Sequence, residues 1–113
     1  MNSILNDTKK LLGICVDDAS FDTDIIVLIN ATLFTLNQIG VGVDGFYIID
    51  STETWEQFIP EPFKMEIVKA YVYQKVKLDF DPPANTTVLQ ALNRQIAEKE
   101  WRLSISSYEP ITS

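Results

Sequence analysis

Four aspartates, Asp17, Asp18, Asp22 and Asp24, fall close enough along the chain to gather oxygen ligands around a calcium ion. The run lacks the central glycine and the terminal glutamate of an EF-hand loop. Helix capping and the positive end of a helix dipole account for Asp22 and Asp24 without any metal. A phosphate-cradling loop is also missing, because Gly40, Gly42 and Gly45 open no helix after a strand. The chain contains no histidine, so zinc sites and acid–base pairs lose their commonest member. Serine and lysine without a partnering base or a recognisable elbow nominate no nucleophile. Cys15 is the only cysteine, which excludes an internal disulfide, and the nearby Asp17 and Asp18 disfavour its thiolate. It is read as a small apolar filler. No catalytic, cofactor-binding or metal site is expected, and the chain is not read as an enzyme.

What remains is charge and shape. The formal net charge is −7, and its distribution says more than its total. Between Lys10 and Lys64 there is no basic residue, whereas Asp17, Asp18, Asp22, Asp24, Asp44, Asp50, Glu53, Glu56 and Glu61 all fall there. Duplex DNA is held by clustered Lys and Arg, so an acidic chain of this pattern is not expected to grip phosphates. A solvated acidic face that only aids solubility is the plainer account of the same residues.

With 113 residues, 46% of them apolar, the chain suits one domain with one core. No apolar run is long enough for a membrane span and the start lacks a signal-peptide pattern, so a soluble, cytosolic product is expected. The fold expected is all-α: a small bundle of four to five helices, a helix–Pro-Pro–helix hairpin, a short extended loop segment and a C-terminal arm. Helical spacing of Ile4, Leu5, Leu11 and Leu12 between Ser3 and Gly13 predicts a first helix. A second follows Phe21 and Asp22, read as staple and cap, and runs to Gly40, with Ile25, Ile26, Leu28, Ile29, Leu33, Leu36 and Ile39 on its core face. Val27, Ala31 and Phe34 fall on the other side of that helix and predict a second contact surface. Phe46-Tyr47-Ile48-Ile49 reads as extended. A brief turn capped by Ser51 or Thr52 carries Trp55 and Phe58 as a lid on the core. Pro62 opens a third long helix with apolar residues over most of its circumference, Phe63 included, which predicts a central position. Pro82 and Pro83 end it, and Asn85 caps the last helix. That helix is read as ending near Leu103, with a stripe of Val88, Leu89, Leu92, Ile96 and Leu103. Trp101 lies off the stripe and is either core or an intersubunit contact. Residues 104–113 are read as an arm appended to a helical domain of residues 1–103.

The order and spacing of Phe21-Asp22-Thr23-Asp24-Ile25-Ile26, Leu36-Asn37-Gln38-Ile39-Gly40, Trp55 with Phe58, the segment from Tyr71 to Pro83, and Glu100-Trp101-Arg102-Leu103 resemble the head–tail connector (adaptor) proteins of siphovirus-type tailed phages. The resemblance implies a structural virion protein that forms a homo-oligomeric ring of about twelve copies in the neck. It implies a portal protein above, a stopper or tail-completion protein below, and genome DNA passing through without specific binding. It further implies assembly in the host cytoplasm and no membrane partner. On this reading Trp101, Arg102, Ile105, Tyr108, Ile111 and Phe34 contact the portal or a neighbouring subunit, and Asp50, Glu53 and Glu56 line the DNA channel. A DNA-associated packaging factor or small helical regulator is the alternative, weakened by the missing basic patch.

Overall fold

The computed structural model describes residues 3–107, apart from the side chains of residues 106 and 107. These residues form five helices and no strand: α1 (Ile4–Leu12), α2 (Asp22–Gln38), α3 (Trp55–Phe58), α4 (Pro62–Phe80) and α5 (Thr86–Ser107). Each boundary has a local cause. Ser3 is extended and its hydroxyl accepts from the Asn6 N–H at 3.2 Å, which satisfies a donor that the first turn leaves unpaired. Gly13 ends α1 at φ 83°, in the left-handed region that a glycine enters without a Cβ penalty. The cap of α2 is Phe21, which makes no side-chain cap bond; Asp22 is already helical and its carboxylate is used elsewhere. Thr54, rather than Ser51 or Thr52, caps α3, and its N–H donates to Oε1 of Gln57 at 2.9 Å. Pro62 opens α4, and Asp81, outside the helical region, closes it before Pro82 and Pro83. Asn85 Oδ1 accepts from the Val88 N–H at 3.1 Å at the start of α5.

α4 is the central element and packs against α1, α2, α3 and α5. Its Met65, Val68, Tyr71, Val72 and Val76 are buried. They meet Ile25, Ile29, Leu33 and Leu36 of α2, Ile4 and Leu5 of α1, and the lid residues Trp55 and Phe58 in one continuous cluster. Each fully buried Leu, Ile or Phe contributes about 1.5–3 kcal/mol of transfer free energy, so this cluster dominates the stability of the bundle. α2 runs antiparallel to α4, since Phe21 and Phe80 meet edge to face at 5.5 Å. α5 returns antiparallel on α4, with Gln74 Nε2 donating to Gln95 Oε1 and Tyr71 Oη to Glu100 Oε2, both at 2.7 Å.

Several sequence expectations need correction. Cys15 is exposed, because the α1–α2 connection is a tight turn in which its carbonyl accepts from the Asp18 N–H and Ile14 is the residue that turns inward. Phe63, in the first turn of α4, is 78% exposed. Val88 is 51% exposed: counted back from the Gln74–Gln95 pair it sits level with Asp81, where α4 has ended and nothing remains to cover it. α5 also continues helically to Ser107, past Leu103.

Candidate functional site

The loop from Val41 to Thr54, which carries most of the candidate acidic residues, is held on α2 by two asparagines placed seven residues apart on one helix side. Asn37 Nδ2 donates to the carbonyls of Val41 and Val43 at 3.0 and 3.1 Å, while its Oδ1 accepts from the Gly45 N–H at 3.0 Å. Asn30 pairs with both main-chain groups of Ile48, at 3.0 and 2.8 Å. A segment without strand partners must satisfy its backbone somehow, and these amides do so, which turns Ile48 into the core and leaves Tyr47 and Ile49 exposed. Sequence reasoning missed both asparagines. Their signal was present: two asparagines, poor helix formers, two turns apart on one side of the helix.

Asp50 and Glu53 come together at the end of this loop, but with different duties. Glu53 is half-buried and accepts from the Ile49 and Asp50 N–H groups at 3.0 and 3.2 Å. It is a clamp on the backbone. Asp50 is exposed, and hydrogen bonds from the Thr52 hydroxyl and N–H, at 2.6 and 2.8 Å, hold its carboxyl below the usual aspartate value. Glu56 is exposed on the first turn of α3. The α3 helix under these groups is fixed from the opposite side, where the Trp55 indole N–H donates to Asp7 Oδ2 at 2.9 Å and the ring is buried.

The candidate interface residues divide between two surfaces. Trp101 is 65% exposed and Ile105, one turn on, 48%, so Trp101 is no part of the subunit core. Arg102 points elsewhere and pairs with Glu98 at 2.9 Å. Phe34 lies apart from them on α2, 62% exposed, in line with Val27 and Ala31. Tyr108 and Ile111 lie outside the described residues.

The aspartates near α2 are engaged in structure. Asp18 Oδ1 accepts from the Ser20 N–H at 3.0 Å, and hydrogen bonding with Ser20 lowers its pKa. Asp22 lies 2.7 Å from Nζ of Lys9, a lysine that is only 1% exposed and also donates to the Val16 carbonyl at 3.0 Å. This pair, a buried lysine with a half-buried aspartate, fastens α1 to the start of α2, and nothing in the local sequence marked Lys9 as different from Lys10. Among the described residues no group of three His, Cys, Asp or Glu side chains converges as a metal site, and no helix is long and apolar enough to cross a membrane.

The surfaces thus offer charge and apolar contact on a helical frame, and among the described residues no His, Cys, Asp and Glu side chains converge as a metal site. Comparison with curated proteins and with solved structures gives no significant match. A family model described as phage connector protein matches residues 4–110, which is almost the whole chain and includes every element that builds these surfaces. The chain belongs to the phage connector protein family.

Proposed function

We propose that this protein is a structural subunit of the phage neck: one of a closed ring of about twelve copies set between the portal protein and the stopper or tail-completion protein. The ring extends the channel through which genome DNA passes, it is assembled in the host cytoplasm, and no bond is made or broken in its work. The observation that carries this reading is the family match over residues 4–110. Supporting it are the large exposed side chains Trp101 and Ile105 on α5 and Phe34 on α2, residue types that anchor protein interfaces when water is excluded around them. On this reading Arg102, Tyr108 and Ile111 also contact the portal or a neighbouring subunit.

On the same reading Asp50, Glu53 and Glu56 face the lumen. DNA must slide without sticking, and every phosphate paired to Lys or Arg adds attraction and counterion release. A wall of carboxylates removes that hold and keeps the duplex central, within the screening length of about 8 Å at physiological salt. Asp50 and Glu56 are the charges to test, because replacing Glu53 also releases the Ile49 and Asp50 amides. The test combines purified protein with portal, images the complex by negative stain, and compares wild type with Asp50→Lys/Glu56→Lys. Rings on the portal in both, with DNA retained by the lysine variant only, are expected. Wild-type protein that never forms rings overturns the neck assignment, and lysine rings that pass DNA normally overturn the lumen assignment.

A further inference from the structure

The outward faces of α2 and α5 match each other. On α2, Asp24, Val27, Ala31 and Phe34 follow at helical spacing on the side turned from the core, with Val27 60% and Phe34 62% exposed. On α5, Arg94, Ala97, Trp101 and Ile105 do the same, all exposed. Asp24 and Arg94 each lack an ion pair or hydrogen bond among the described residues. Both rows therefore place an unpaired charge first, then small or apolar residues, and the charges are opposite.

Direction and level also agree. α2 and α5 are each antiparallel to α4, so they run parallel to one another within a subunit. Counting along α4 from the Phe21–Phe80 contact places Ala31 level with Ala70. Counting from Tyr71–Glu100 and Gln74–Gln95 places Trp101 in the same turn of α4. Moving from one copy to the next in a closed ring of about twelve is a rotation of about 30° with no rise, which keeps directions nearly parallel and levels equal for helices that run along the ring axis. With α2 and α5 along that axis on the two flanks of α4, such a rotation would set α5 of one copy against α2 of the next with Trp101 opposite Ala31. The antiparallel alternative sets Arg94 opposite Gln38 and matches no charge.

We propose that the occupant of the α2 face is α5 of a second copy, with Trp101 seated over Ala31 between Val27 and Phe34, and Arg94 paired with Asp24. The contact is heterologous, so each subunit offers one face of each kind and the chain of contacts closes only as a ring. This inference rests on the ring reading above, yet it is tested separately. In a Cys15→Ser background, a Val27→Cys protein is mixed with an Ala97→Cys protein under mild oxidation, while oligomer size is followed by sedimentation and negative stain. Heterodimers well in excess of either homodimer are expected, with a ladder of covalent oligomers when both cysteines sit on one chain. Trp101→Ala should weaken assembly about 30-fold or more, as truncation of a central anchor does. Asp24→Arg should also weaken it, and Asp24→Arg/Arg94→Asp should recover it. Rings without preferential heterodimers, or a double charge swap no better than the single, overturn the docking face and leave the ring reading standing. Heterodimers from a protein that never closes into rings support the face and overturn the ring. Statistical cross-linking in a protein that stays monomeric overturns both, and loss of portal binding with unchanged self-assembly assigns the α2 face to the portal instead.

Discussion

Gly42 is the position where one methyl group should cost most. Its φ is +82°, and a Cβ built there runs into the ring of Phe58. That ring has no room to retreat: Phe58 is fully buried, and Phe46 packs on it at 5.5 Å between centroids. Two costs add in Gly42→Ala. The left-handed backbone costs a non-glycine residue about 1–2 kcal/mol, and overfilling a packed core costs about 1–3 kcal/mol. Together they give about 2–5 kcal/mol, a large share of the roughly 5–15 kcal/mol by which small domains are stable. Gly45 supplies the control, with φ +79° and nothing within 4 Å of the added Cβ. Gly45→Ala should therefore cost only the backbone term, about 1–2 kcal/mol. Urea unfolding followed by tryptophan fluorescence reads both, since Trp55 is buried and reports on the same corner of the core. The difference between the two midpoints isolates the clash with Phe58. Equal destabilisation of the two variants, within about 0.5 kcal/mol, would refute the reasoning, because the ring would then have yielded at no cost.

The Lys9–Asp22 pair should behave as a coupled unit: Lys9→Met is expected to cost about 3 kcal/mol by stranding a partly buried carboxylate, and Lys9→Met/Asp22→Asn much less than the sum of Lys9→Met and Asp22→Asn, as chemical denaturation of these three variants and wild type will show. Burial, reinforced by the hydrogen bond to Glu100, pushes the Tyr71 hydroxyl well above its ordinary value. The folded chain therefore keeps that proton after the unfolded chain has lost it, so its stabilisation is complete below about pH 10 and declines as pH rises beyond. Stability measured from about pH 9 to 11.5 should fall more steeply for wild type than for Tyr71→Phe, and parallel curves would show the contact to be energetically silent.

The helices were legible in the sequence because their causes are local. Ser3, Gly13, Pro62, the Pro82-Pro83 pair and Asn85 act on backbone groups a few residues away, and the apolar spacing of Ile25, Ile29, Leu33 and Leu36 needs only the helical period. The same periodicity put Trp101 off the α5 stripe and Phe34 on the outer side of α2, where both are exposed. What tertiary structure alone decided involves partners far apart in the chain. Asn30 reaches Ile48 in the loop after α2, Lys9 reaches Asp22, Trp55 reaches Asp7 and Tyr71 reaches Glu100. A side chain's type does not reveal which distant donor or acceptor it will find, and the length of a neighbouring helix decides whether an apolar residue such as Val88 is covered. Contacts set by the packing of α4 against its neighbours therefore required the three-dimensional arrangement, whereas the caps and stripes required only the chain itself.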